Sequence, residues 1–118
     1  MQYVDALNIK KTIESHNKRI PMTIERVMEQ AKTYLHNENN LKAIMDAYLL
    51  AEKQHKGQFR KSGEPYIQHP LEIAYMLASL TAGPATICAG LLHDVVEDTD
   101  CPIEEIERLF GSDVAKIV

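Results

Sequence analysis

The chain lacks several features that would decide its class at once. Its 118 residues hold only two cysteines, Cys88 and Cys101, too few for a disulfide framework. Cys88 falls in an apolar helical pattern and reads as a small buried side chain. No apolar run is long enough to span a bilayer, and the N-terminus lacks the layout of a secretory signal. A cytoplasmic location without membrane contact is therefore the expectation. An excess of basic charge is missing too. The 13 Lys and Arg stand against 17 Asp and Glu, for a net charge of −4, whereas a nucleic-acid surface needs a basic field. A single nucleotide stays within reach, because a metal ion and a few local cations are enough to meet its phosphates. No strand pattern, internal repeat or low-complexity segment is visible. Hydrophobic content of 45% and charged content of 25% are those of an ordinary globular chain of one small domain.

What is present is helical periodicity. Residues 1–21 carry only a weak apolar stripe (Val4, Leu7, Ile13) and read as an N-terminal extension closed by Pro21. From Thr23, a potential cap, Ile24, Val27, Met28, Ala31 and Leu35 recur at helical spacing. The polar break 36–40 separates them from a second helix carrying Leu41, Ile44, Met45, Tyr48 and Leu49, which runs to about Lys56 with Gly57 as its terminator. His55, near that end, suits the helix dipole when protonated. A loop follows to Pro70, which reads as the first residue of a third helix, with His69 at its entrance. Leu71, Ile73, Ala74, Met76, Leu77 and Leu80 supply the apolar side of that helix, Met76 as core filler. After the break 81–84 a fourth helix runs from Ala85 on through the 90s. It is apolar over most of its circumference and so is expected to be central, and Gly90 within it marks the close approach of a neighbour. Pro102 opens a fifth helix that Gly111 ends, and Ser112 caps a sixth. The expected fold is an all-α bundle.

Two stretches carry chemistry. In Gly90-Leu91-Leu92-His93-Asp94-Val95-Val96-Glu97-Asp98-Thr99 an imidazole and three carboxylates interrupt an apolar run. On a continuous helix His93 lies one turn from Glu97, and Asp94 one turn from Asp98. Ionisable groups on a half-buried helix are costly unless compensated, and a divalent cation that accepts imidazole and carboxylate together is the simplest compensator. The second stretch is the loop before the third helix, where Arg60, Lys61 and Ser62 form a small cationic, hydroxyl-bearing cluster suited to a phosphate or a purine face.

Together, Lys56-Gly57-Gln58-Phe59-Arg60-Lys61-Ser62-Gly63-Glu64-Pro65-Tyr66-Ile67, then His69-Pro70, then Gly90 to Thr99 resemble the hydrolase domain of the RelA/SpoT homologue family, a branch of the HD-domain phosphohydrolases. The resemblance covers about residues 24–118 and implies an HD-domain helical bundle, with residues 22–118 as its N-terminal part and the bundle incomplete at its C-terminal end. It implies manganese-dependent removal of the 3′-pyrophosphate of guanosine tetra- or pentaphosphate, (p)ppGpp, to give GDP or GTP and pyrophosphate in the stringent response. It implies His69, His93 and Asp94 as metal ligands, with a fourth aspartate ligand beyond Val118. Glu97 and Asp98 are implied to act on the attacking water and the pyrophosphate, and Arg60, Lys61 and Ser62 to embrace the guanosine. A downstream synthetase domain is a further implied partner. Two other readings stand beside this one: a catalytically incomplete fragment that binds a nucleotide or a partner, and an HD phosphohydrolase for another nucleotide.

Overall fold

The computed structural model describes residues 21–118, so the expected extension lies, but for Pro21, outside the described residues. Seven helices follow one another there: α1 (Ile24–Lys32), α2 (Glu38–Gln54), α3 (Gln68–Ser79), α4 (Pro84–Leu92), α5 (Val95–Asp98), α6 (Ile103–Phe110) and α7 (Ser112–Ile117). Among the described residues there is no strand, only an isolated bridge between Phe59 and Pro65, and the fold is all-α as expected. No helix of the described residues is long and apolar enough to cross a membrane.

The starts of the helices follow local chemistry. The Thr23 side chain accepts a hydrogen bond from the Arg26 N–H at 3.3 Å and caps α1. Asn37 does the same for α2, accepting from Asn39 and Asn40 at 2.8 and 3.3 Å. That cap places the start of α2 inside the stretch expected as a break. Helix α3 begins at Gln68, two residues before Pro70. A proline is tolerated there because the N–H groups of a first turn have no intrahelical partner in any case. His69 therefore belongs to the first turn of α3 instead of preceding it. Gln68 is locked by a reciprocal pair with the Met22 backbone, at 2.8 and 2.9 Å, which ties the chain ahead of α1 to this turn. Gly111 lies between α6 and α7, so Ser112 is the first residue of α7 and not its cap.

Helix α4 is central, packed against α2, α3 and α7. Its Ile87, Leu91 and Leu92 are fully buried, with Cys88 and Ala89 nearly so. The neighbouring helices present alanines one turn apart, Ala47 and Ala51 on α2 and Ala74 and Ala78 on α3, all fully buried; small side chains let helix axes come close. Gly90 faces α3 so closely that a Cβ there would lie 2.7 Å from Leu77 Cδ1. Several residues of the apolar pattern nevertheless face outward. Met76 is 54% exposed, so it is not core filler, and Leu49, Leu80 and Leu109 are exposed as well.

The largest departure from expectation is in the helix that was to run through the 90s. It stops at Leu92; His93 and Asp94 form a turn, and α5 adds a single turn, Val95–Asp98. The four ionisable groups do not share one unbroken helix.

Candidate metal centre

The α4–α5 turn and the first turn of α3 meet at one end of the bundle. His69 Nε2 lies 3.5 Å and His93 Nε2 3.1 Å from the same Asp94 oxygen, Oδ2. One ligand atom from each of these residues falls within 4.8 Å of the other two. The two rings sit 5.5 Å apart and are about one-third exposed, so the cluster opens to solvent. Asp94, at 13%, is the most enclosed of the three.

Hydrogen bonding fixes the sense of His93. Its Nδ1 is 2.9 Å from the Gly90 carbonyl, which can only accept. Nδ1 therefore carries the proton, and in a neutral ring Nε2 turns a lone pair toward the Asp94 carboxylate. Two acceptors 3.1 Å apart repel unless a proton or a cation stands between them. The second nitrogen of a metal-ligating histidine is ordinarily held by a carbonyl in this way. Two imidazole nitrogens and a carboxylate oxygen converging on one point, one imidazole already oriented, fit a divalent transition metal.

Asp94 is also held by Tyr66, whose hydroxyl donates to the same Asp94 Oδ2 at 2.8 Å and to Asp98 Oδ2 at 3.1 Å. Burial first, and then the hydrogen bonds to Asp94 and Asp98, push the Tyr66 hydroxyl above the ordinary tyrosine range. It stays protonated and donating through the physiological range. The Tyr66 ring lies 4.7 Å from that of His55 and meets His69 edge-on at 6.0 Å. His55 caps the C-terminal end of α2, the place from which it was expected to suit the helix dipole, and is buried, at 3% exposure. Its Nδ1 pairs with Gln58 Oε1 at 2.9 Å, and Gln58 Nε2 donates to the Asp98 carbonyl at 2.8 Å.

The loop between α2 and α3 is folded back on itself. Tyr66 N–H donates to the Gln58 carbonyl and Arg60 N–H to that of Glu64, both at 2.9 Å, while Gly63 N–H closes a tight turn onto the Arg60 carbonyl at 2.8 Å. Gly63 occupies the left-handed region at φ 93° that this turn needs. The Arg60, Lys61 and Ser62 side chains project from that turn, exposed. With Phe59, Glu64, Tyr66 and His69 they line an open cleft of about 530 Å³ that reaches the His69–His93–Asp94 cluster at His69.

The expected site residues thus come together in part. His69, His93 and Asp94 converge, and Arg60, Lys61 and Ser62 share a cleft with His69. Asp98 joins the cluster through Tyr66. Glu97 is exposed on α5, and among the described residues no side-chain hydrogen bond or ion pair holds it. Tyr66, Gln58 and His55 were not singled out as site residues in the sequence.

Comparison with known proteins gives the family. A family model described as "HD domain" matches residues 47–118, more than half of the chain. A guanosine-3′,5′-bis(diphosphate) 3′-pyrophosphohydrolase of Spiroplasma citri is 49% identical over 94 residues, which are 80% of this chain and 13% of that protein. The bifunctional (p)ppGpp synthase/hydrolase SpoT of Escherichia coli (strain K12) is 45% identical over the same share of each. A GTP pyrophosphokinase of Myxococcus xanthus is 51% identical over 83 residues, 70% of this chain and 11% of that protein. The chain thus spans only about an eighth of the length of these relatives or less. Among solved structures, that of a metazoan orthologue of SpoT, described as hydrolysing ppGpp and playing a role in starvation responses, superposes with a TM-score of 0.59 at 35% identity. The match covers 63% of this chain and 44% of that one.

Proposed function

Because the chain belongs to the HD-domain family, in its RelA/SpoT branch, we propose that residues 22–118 are the N-terminal part of a (p)ppGpp hydrolase domain. The reaction is hydrolytic removal of the 3′-pyrophosphate, returning GDP or GTP and pyrophosphate. The observation that carries this reading is the convergence of His69, His93 and Asp94 at the end of a cleft bearing Arg60, Lys61 and Ser62. Two imidazoles and a carboxylate next to a cationic, hydroxyl-bearing cleft support the reading of the first as a ligand set and the second as a phosphate- and purine-binding loop.

His69 Nε2, His93 Nε2 and Asp94 Oδ2 are the protein atoms that would hold the ion, which we assign as manganese on the family resemblance; the two imidazoles would also accept zinc, iron or cobalt. Bound there, a divalent cation supplies Lewis acidity toward a phosphate oxygen and makes water more acidic. The chain's own residues do the rest. Arg60 and Lys61 meet the negative charge of the substrate, and the planar guanidinium of Arg60 stacks on the guanine face. Ser62 offers its hydroxyl to the nucleoside. Glu97, solvent-facing on α5, takes a proton from the attacking water. Asp98, restrained by Tyr66, orients the pyrophosphate end. The work is placed in the cytoplasm, and the relatives' names support a synthetase domain elsewhere in the protein.

The test is pyrophosphate release from ppGpp with and without manganese, by the protein and by its His93→Ala variant. Manganese-dependent release that the variant loses supports the reading. A folded protein that binds ppGpp without turning it over would replace it with a nucleotide-binding module.

A further inference from the structure

Tyr66 offers one hydroxyl proton to two carboxylates, 2.8 Å from Asp94 Oδ2 and 3.1 Å from Asp98 Oδ2. Asp94 Oδ2 is also the oxygen that His69 and His93 approach. A carboxylate oxygen has two lone-pair directions. With one of them taken by a hydroxyl held on a rigid ring, the rotation of the carboxylate is fixed and the other stays free.

The ring itself has little freedom. His55 lies against one side of it and the His69 edge meets it on another. His55 is in turn buried and anchored to Gln58, which also holds the Asp98 backbone carbonyl. Its other nitrogen, Nε2, is buried without a hydrogen-bond partner among the described residues, an unpaired polar atom that normally costs stability. That cost is accepted beneath Tyr66 and nowhere else among the described side chains. Two anionic groups held near one oxygen would repel and splay if the shared proton were absent.

We propose that Tyr66 is a positioning residue of the metal centre: its hydroxyl fixes the Asp94 carboxylate toward the two imidazoles and keeps Asp98 alongside. The proposal rests on the reading of His69, His93 and Asp94 as metal ligands, but not on the identity of the nucleotide.

The experiment is a manganese titration of the protein and of Tyr66→Phe, which keeps the ring and its contacts with His55 and His69 while deleting the hydroxyl. Supporting partners of metal ligands are worth about 10- to 100-fold in affinity. The expected result is manganese binding weakened about tenfold, with helical content and melting temperature unchanged. Affinity equal to that of the unsubstituted protein overturns the proposal, whatever happens to ppGpp hydrolysis. Weakened binding in a protein that proves inactive on ppGpp upholds it while the functional reading fails. A second measurement needs no variant. A crystal structure of the manganese-loaded protein must keep the Tyr66 hydroxyl on Asp94 Oδ2, and a hydroxyl that has left both carboxylates overturns the proposal equally.

Discussion

Helix α4 and the turn that follows it are continuous in sequence and opposite in chemistry. From Ile87 to Leu92, Gly90 apart, the side chains are 0–3% exposed and meet other apolar groups. One residue later polar contacts take over: His93 pairs with the Gly90 carbonyl and with Asp94, and Asp94 in turn with His69 and with Tyr66, 28 positions away in the chain. The first region is held by close packing, which loses energy with every methylene removed. The second is held by a few directed contacts that place charge, and it is free to spend stability on geometry. The helix break at His93 is what separates them. It lets the apolar stripe of α4 stop while Asp94 turns toward α3.

The largest effect is expected in the packed region. Leu91→Ala empties a fully buried site and is expected to lower unfolding free energy by about 2–5 kcal/mol in a denaturant titration. A smaller loss would mean that α4 is not the centre of the core. Two residues on, His93→Ala should do the reverse. If His93 is the ligand proposed, manganese affinity is expected to fall more than about 100-fold, beyond the effect of losing a supporting partner. Stability of the metal-free protein should change by less than about 1 kcal/mol, as for a partly exposed side chain.

Arg60→Ala removes a cation from the cleft without touching the bundle. Binding of ppGpp should weaken about tenfold, roughly 1.4 kcal/mol, with no change in manganese affinity. Thr81 gives a finer test, away from both regions. Helix α3 ends in a Schellman motif, Thr81 N–H to the Ala78 carbonyl and Ala82 N–H to that of Leu77, both at 3.0 Å. The αL position is filled by a β-branched residue at φ 57°, strained where glycine is usual. Thr81→Gly is expected to raise stability by about 1 kcal/mol and leave metal binding alone. The smallest effect concerns Cys88. Burial pushes its thiol up to about 11, with Asp46 adding to the rise. A raised acid pKa favours the neutral form on folding, so this contribution to stability holds below the unfolded value and is lost as pH rises through about 11. A thiol-labelling reagent at pH 8 should leave Cys88 unmodified until the protein unfolds.

The packed region was far more legible in sequence than the polar one. Ile24, Val27, Met28 and Ala31 repeat at helical spacing and are buried together, because an amphipathic helix writes its buried face into its own period. The same logic named Met76 wrongly, since a period places a residue on a face but not at a depth. The ends of α2 and α3 shifted through a cap at Asn37 and a proline tolerated inside a first turn. The helix break at His93 left no proline, glycine or capping signal, because it is imposed by the tertiary contacts that draw Asp94 toward α3. Of the site, His69, His93 and Asp94 were named from motif resemblance, and their convergence follows from how α3 packs on α4. Tyr66, Gln58 and His55 act across 28, 40 and 11 positions of chain, separations with no period to betray them.

The proposed metal position is one point in space, between His69 Nε2, His93 Nε2 and Asp94 Oδ2. Anomalous diffraction at the manganese edge from manganese-soaked crystals of the protein tests it most directly. The expected result is a single strong peak within coordination distance of all three atoms. Manganese found elsewhere on the chain, with those three side chains paired only to one another, would contradict the metal centre and the hydrolase built on it.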